Sequence, residues 1–584
     1  MSKPQSPLKR VGSYLKGQHR SVLFIAILTI AASALTLAGP YLLGRAIDGF
    51  IIPKERAGLT RACLLLAAVY AASAFVAWIQ ARLLASVSQR TVWRMRGDLF
   101  SHIQNLPLRY FTGKKQGDLM SRATNDIENV SNTLNQSLVQ LLSSALSIVG
   151  SFAVMVWLQP LLTAVAISTV PLLFLASRRI GAATKKQFRL QQLELGAING
   201  YIEETVSGRR IVTLFNQEDR AERQFGEMNG RLRTAGVKAQ LISGLMGPSM
   251  NVLGHLNYLL IAAAGGWLAA GGHASAGVIV SFLAYSRQFS SPINELANQY
   301  NLIQAGIAGA ERVFETMDVP SEHDGAEPSE PLPGSGRSLR NSAVTFDRVG
   351  FAYSPEAPIL EEISFRSEPG SMTALVGPTG AGKTTIMSLL ARFYEPTSGS
   401  IFIGGEEIGS MDKRMLRSRI GIVLQDSVLF KGTIRDNIRY GRLDASEAEI
   451  ERAAKAASAH GFITRMPDGY DTELSADGGS LSQGQRQLLC IARTLLADPD
   501  ILILDEATSS VDTLAEQRIQ QAMAVLVEGR TSFVIAHRLS TIRAADTILV
   551  VDGGRIVQQG NHEQLSSVQG LYRDLHTRHF QSVS

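Results

Sequence analysis

Gly377-Pro378-Thr379-Gly380-Ala381-Gly382-Lys383-Thr384 fits the pattern G-x-x-x-x-G-K-[ST]. An apolar run, residues 371–377, precedes it and a stretch of helical composition follows, so the pattern falls on a strand-to-helix turn. Glycines there let backbone N–H groups point inward at a phosphate, and the following helix N-terminus adds positive potential. Lys383 can reach β and γ oxygens and Thr384 can ligate Mg2+, with Thr385 completing the run of candidate ATP-binding residues. Short β-rich runs at 420–424, 501–504 and 531–536 alternate with helical stretches, which predicts a parallel-sheet α/β domain around this turn.

Further along, Ile501-Leu502-Ile503-Leu504-Asp505-Glu506 reads as four apolar strand residues that deliver two carboxylates to the C-terminal edge of the sheet. Two acids ending a strand are common on a surface. Beside a phosphate cradle they suit Mg2+ binding by Asp505 and general-base activation of a water by Glu506.

The residues before this domain obey different rules. The chain has 584 residues, of which 45% are hydrophobic and only 18% charged, a composition that excludes disorder and makes membrane immersion plausible. Two cysteines, Cys63 and Cys490, make no disulfide framework. The net charge of +6 divides into +14 up to Asp318 and −8 beyond it. A basic half rich in apolar runs fits a membrane protein better than a nucleic-acid binder, which needs a soluble basic face.

Uncharged runs cover residues 21–44, 62–81, 129–177 and 239–286. The first two each suffice for one bilayer crossing. The last two, 49 and 48 residues long, are about twice what ~30 Å of hydrocarbon requires, so each makes two spans. Turns are expected at Gln159-Pro160 and at Gly271-Gly272-His273, for a total of six membrane helices. Lys3, Lys9, Arg10, Lys16 and Arg20 precede the first span, and basic segments follow the second and fourth, which places both termini in the cytoplasm. The first span is too long for a signal peptide's apolar region and Gly44-Arg45-Ala46 is a poor cleavage site, so no cleavage is expected. The segments 82–128 and 178–238 are too long for simple hairpins and are read as helical excursions. They are expected to turn back near 118–122 and 211–215. The expected organisation is a cytoplasmic segment 1–20, a six-span domain 21–317, a Pro-rich linker 318–341 and the ATPase domain 342–584.

Leu481-Ser482-Gln483-Gly484-Gln485-Arg486-Gln487, just before the strand that leads to Asp505-Glu506, resembles the L-S-G-G-Q signature of ATP-binding cassette (ABC) proteins. Other marks of that family fall in order. Tyr353 is similar to the aromatic that stacks on adenine, Gln425 to the Q-loop glutamine at Mg2+, Asp512 to the D-loop acid and His537 to the switch histidine at the γ-phosphate. Six spans followed by one cassette resemble an ABC exporter half-transporter. Tyr110-Phe111, Gly117-Asp118-Leu119, Ser121-Arg122 and Asn125-Asp126 are similar to its first cytoplasmic loop. The resemblance implies that the turns near 117–125 and 211–215 are coupling helices docking on the cassettes. It also implies that Ser482, Gln483, Gly484 and Gln485 close over ATP held by a second chain.

Gln483 stands where the signature has its first glycine, a site where a side chain limits backbone freedom, and Ala476 where the upstream family segment has Glu. These departures resemble the subunit of heterodimeric bacterial exporters that keeps a competent Glu506, so a heterodimer is expected, with a homodimer as the alternative. The expected cargo is a small amphiphile, drug-like or lipid. A homodimeric lipid or peptide exporter and an importer of the same fold remain alternatives, as does an ATP-gated channel; six spans argue against a soluble cassette ATPase acting on DNA. Asn251, His255, Asn257, Tyr258, Tyr285 and Arg287 are polar positions in the last two spans that either line a cavity or bind helices together.

Overall fold

The computed structural model describes residues 6–114, 116–322, 339–340, 342–354, 357–425, 427–475, 479, 481–505, 513–536 and 538–577. It divides into two compact units, one of Met1–Leu106 with Lys114–Pro320, the other of Pro107–Gly113 with Ser321–Ser584.

The first unit is helical. A short α1 (Pro7–Leu15) leads into α2 (His19–Ala46) and α3 (Arg56–Gln104), and α4 (Leu108–Thr112) follows in the second unit. The chain returns through α5 (Gln116–Ser121), α6 (Ile127–Asn132) and α7 (Leu138–Leu158), joined by single π-helical turns. Then come α8 (Pro160–Ser168), α9 (Val170–Ser207), α10 (Arg209–Leu214), α11 (Glu218–Gly244), α12 (Met246–Ala270) and α13 (Ala276–Met317). Among the described residues five continuous rods are long and apolar enough to cross a membrane. The sixth long rod is α13, uncharged as far as Ser286.

The breaks between rods follow local chemistry. Gln159 is extended (φ −160°, ψ 98°) and Pro160 opens the next helix, where a missing N–H costs nothing. Gly272 takes φ +75° in the turn between α12 and α13. The first excursion turns at α4, not at 117–125 as expected. Pro107 disfavours helix at Leu106 and Gly113 closes α4, whereas Gly117 to Asn125 already lie on the returning helix. The second turn is α10, within the expected stretch.

Beside α1, Val92, Met95 and Leu99 of α3 bury against Ile127, Val130, Val313 and Phe314. At the other end, Met155, Leu162, Ile261, Phe282 and Tyr285 form a second cluster. There Asp48 Oδ1 accepts from the Gly277 N–H at 2.8 Å and Oδ2 from Ser275 Oγ at 2.5 Å, tying the end of α2 to the start of α13. A Cβ on Gly277 would lie 2.2 Å from the Gly44 carbonyl oxygen, so the two helices touch through glycine.

The second unit is α/β. Strands β1 (Val344–Ser354), β2 (Ala357–Ser367), β4 (Ser398–Ile403) and β5 (Glu406–Glu407) make an antiparallel sheet in the order β2-β1-β4-β5. The main sheet has the order β12-β11-β3-β10-β9-β6, from β3 (Met372–Val376), β6 (Ile420–Val423), β9 (Ile501–Asp505), β10 (Thr531–Ile535), β11 (Thr547–Asp552) and β12 (Arg555–Gly560). Gly432–Thr433 (β7) and Glu473–Leu474 (β8) form a small ladder. All main-sheet pairings are parallel except β11 with β12.

Strand alternation explains the two cores. Ile501 and Ile503 point into one, with Leu375, Phe533 and Ile535, while Leu502 and Leu504 point into the other, with Ala374, Val376 and Val534. Burial on both faces is what a parallel sheet demands.

Within the first unit, Arg122 has a side chain only 8% exposed, yet it is charged. It donates to the Arg312 carbonyl (3.0 Å) and Thr316 Oγ1 (2.9 Å) and pairs with Glu315 (3.0 Å) and Asp118 (3.2 Å). Arg122→Leu removes all four at once and should cost about 1–3 kcal/mol. Loss of the exposed Arg231–Glu194 pair by Arg231→Ala should cost under about 1 kcal/mol. Thermal melts of the detergent-solubilised protein check this; equal shifts for the two variants would contradict it.

Candidate nucleotide site

The phosphate loop joins β3 to α14 (Lys383–Leu390). Gly377, Gly380 and Gly382 take φ of +154°, +85° and +102°, a sequence of positive-φ residues that only glycine adopts cheaply. At Gly377 a side chain is also excluded sterically, since a Cβ would lie 2.0 Å from the Val551 carbonyl oxygen. Pro378, Thr379 and Gly380 form an exposed rim, while Ala381 and Gly382 are buried.

Lys383 is buried and turns back over the loop, Nζ donating to the Gly377 carbonyl (2.7 Å) and the Pro378 carbonyl (2.8 Å). Burial lowers its pKa, and the negative charge of Asp505 opposes that shift. Thr384 is exposed beside it, and Thr385 is buried with its hydroxyl 3.4 Å from Tyr353 Oη.

Register brings the remaining groups to the same edge. Ile535 pairs with both Leu375 and Asp505, so β3, β10 and β9 end level, with the phosphate loop two residues beyond Leu375. Val423 pairs with Leu504, which places Gln425, exposed just past β6, beside the end of β9. Thr384, Gln425 and Asp505 offer a hydroxyl, an amide oxygen and a carboxylate, an all-oxygen set that suits a hard cation. Glu506, Asp512 and His537 lie outside the described residues, as does Ala476.

Tyr353, the last residue but one of β1, is 45% exposed, its ring packed edge-on against Phe351 (4.9 Å) and Tyr394 (5.1 Å). One ring face can therefore meet a planar base while the edges are held. Tyr394 was not anticipated from sequence, and a lone tyrosine carries no signal that would have found it.

Ser482, Gln483, Gly484 and Gln485 form the N-terminal turn of the helix Gln483–Ala497. Ser482 Oγ accepts from the Gln485 N–H (3.3 Å) and Gln485 Oε1 from the Ser482 N–H (2.9 Å). This reciprocal cap was legible as S-x-x-Q. Gln483, at the first helical position, is not among the positive-φ residues, so the freedom that glycine would bring is not used there. Gln483 thus presents an exposed side chain on a helical backbone.

Gly377→Ala combines a forbidden contact with an unfavourable φ and should weaken binding of a fluorescent ATP analogue by at least about tenfold. Unchanged affinity would show that the loop does not hold the phosphates.

The polar positions of the last two spans divide in two. Asn257 donates to Ser286 Oγ (2.7 Å) and Tyr285 to the Leu37 carbonyl (2.5 Å), both buried and binding helices together. Asn251, His255, Tyr258 and Arg287 are exposed on the single chain.

Comparison with known proteins agrees with this geometry. Residues 22–293 match the ABC transporter transmembrane region and residues 360–509 the ABC transporter ATPase family. An ABC transporter ATP-binding protein of Bacillus subtilis is 46% identical over 98% of this chain and 94% of its own length. A fatty acid ABC transporter ATP-binding/permease protein of Mycobacterium bovis is 46% identical over 88% of this chain and 81% of its own. Among solved structures, a bacterial Atm1-family ABC exporter with ATP bound superposes with a TM-score of 0.76 at 31% identity, covering 96% of this chain and 98% of that one. The chain belongs to the ABC transporters, as an exporter-type polypeptide that fuses a multi-pass membrane domain to an ATP-binding, ATP-hydrolysing domain.

Proposed function

We propose that this chain is the catalytically competent half of a heterodimeric exporter that moves an amphiphile, of lipid or drug-like type, out of the cytoplasm. The observation that carries the catalytic part is Lys383, buried over the Gly377 and Pro378 carbonyls at the sheet edge where Asp505 ends. The same ammonium, turned through its own side-chain torsions, meets phosphate oxygens.

Tyr353 stacks on adenine, and residues 377–385 hold the phosphates. Thr384, Gln425 and Asp505 would hold Mg2+, which when bound offsets charge on the β- and γ-phosphate oxygens. Glu506 takes a proton from water as the water oxygen attacks the γ-phosphorus, and the bond to the β–γ bridging oxygen breaks, leaving ADP and phosphate. His537 contacts the γ-phosphate, and Asp512 joins the two half-sites.

Exporters of this family act as dimers in the membrane. On this chain the α10 segment leaves Ile211, Leu214 and Phe215 60–72% exposed, an apolar tip that a second chain would cover. Ser482 and Gln483 are exposed as well and would close over the partner's ATP, with the Gln483 side chain lowering the activity of that site. The basic residues before α2 support cytoplasmic termini. The fatty acid transporter among the relatives supports an acyl-bearing cargo. In the transport cycle, ATP binding draws two cassettes together, closure opens the helix bundle outward, and hydrolysis resets it.

Glu506→Gln should bind ATP at near-normal affinity but lose at least about a hundredfold in steady-state hydrolysis, whereas Lys383→Ala should lose binding. Normal turnover by Glu506→Gln would remove the base assignment. For pairing, the chain expressed alone should show weak ATPase activity and no transport in inverted vesicles. A clean homodimer with robust ATPase and transport would refute the heterodimer.

A further inference from the structure

A cavity of about 150 Å3 lies where α2, α3 and the start of α7 meet, walled by Ile25, Ala26, Leu84, Val87, Leu134 and Leu142. Two hydroxyls, of Thr29 and Ser88, also border it, but both are engaged with the protein. Thr29 Oγ1 donates to the Ile25 carbonyl (2.8 Å) and accepts from Gln80 Nε2 (3.2 Å), and Ser88 Oγ donates to the Ser131 carbonyl (3.5 Å). Water needs two to four polar partners to settle in a cavity, and in this lining both hydroxyl protons are already committed to backbone carbonyls and the remaining wall is apolar. Its natural guest is hydrocarbon.

The cavity reaches an exposed apolar surface of the helices. Val22, on its wall, is 37% exposed, and Leu23, Phe24 and Ile27 on the same first turns of α2 are about half exposed or more. At its cytoplasmic end the chemistry changes abruptly. Lys16 sits just before α2 and Arg20 in its first turn, and Arg90 and Arg94 continue the α3 face beyond Val87 and Ser88. All four are exposed, and no carboxylate lies within 4 Å of any of them among the described residues.

Contacts place the two pairs together. Gln18 Nε2 donates to Thr91 Oγ1 (3.2 Å) and the Val87 carbonyl (3.5 Å), and a Cβ on Gly17 would lie 3.2 Å from Arg94 Nη1. The acid on this face, Asp98, lies one turn beyond Arg94 and accepts from the Tyr14 hydroxyl (2.9 Å). Trp93 is 74% exposed between the arginines, the placement of an interfacial aromatic.

An apolar slot open to the exposed face of the helices, capped by a cluster of cations where the first span begins, matches one kind of molecule. We propose that an anionic phospholipid of the cytoplasmic leaflet binds here, one acyl chain in the cavity and its phosphate against Arg20 and Arg94. The bound lipid is a resident of this site and not the exporter's cargo. The leaflet follows from the orientation read from the basic N-terminus; the site itself does not depend on it.

The test uses the full chain in lipid nanodiscs with a trace of phosphatidylglycerol carrying a photoactivatable diazirine in its acyl chain, and peptide mapping by mass spectrometry. Labelling is expected on residues 22–29 and 84–88. It should fall about fivefold for each of Arg20→Ala and Arg94→Ala, and should be lost in Ala26→Phe, which fills the slot. Leu142→Phe is the second filling variant should Ala26→Phe not fold, with ATPase activity as the folding check. A phosphatidylcholine probe with the same diazirine should label the site several-fold less. Equal labelling by the two probes, or labelling undiminished in both filling variants, would overturn the proposal by showing only annular lipid.

Discussion

A buried ammonium needs oxygen around it, and the strand-to-helix turn at Gly377 supplies that oxygen from its own backbone. Lys383 is 7% exposed, and an unpaired cation at that depth would cost several kcal/mol. The carbonyls of Gly377 and Pro378 hold it, and the charge of Asp505 favours its protonated form. This arrangement keeps the lysine at the cradle, with its burial already met before a ligand arrives. A triphosphate offers full negative charge in place of two carbonyl dipoles, so the exchange is downhill and needs only side-chain rotation. The positive φ values of the loop, the parallel register of β3, β10 and β9, and burial on both sheet faces all serve to fix that one geometry.

The membrane domain depends on close approach. Gly44 against Gly277, Gly306 against Thr133 and Gly309 against the Asp126 carbonyl let α13 press onto its neighbours at distances a Cβ would forbid. Ser137, Ser144 and Ser151 recur every seven residues and are buried, small enough for the same purpose. Charge enters this domain where helices extend beyond the apolar spans, in the Arg122 and Asp126 network, where hydrogen bonds offset the desolvation that burial imposes.

Much of this was legible in the sequence because it rests on local rules. Uncharged runs bounded the spans, and Gln159-Pro160 and Gly271-Gly272 marked turns that the structure makes. The phosphate loop, the apolar strand leading to Asp505 and the serine cap of the signature helix are written in consecutive residues. The first excursion's turn was misplaced by about ten residues, since it was set by its position along the segment and by family likeness and not by the Pro107 and Gly113 pair that stops the helix. The signature glycine replaced by Gln483 suggested a backbone constraint that the helical φ does not impose. Tertiary contacts such as Tyr394 on Tyr353, or Gln18 on Val87, have no sequence signal because they join residues 41 and 69 positions apart.

The most direct measurement is a cryo-electron microscopy map of the chain, assembled with its partner or with itself, in nanodiscs with ATP and magnesium under non-hydrolysing conditions. Lys383 Nζ is expected to have left the Gly377 and Pro378 carbonyls for phosphate oxygens, with the base on Tyr353 and a signature serine of the second chain across the nucleotide. Lys383 still seated on its two carbonyls while nucleotide occupies density elsewhere would contradict it.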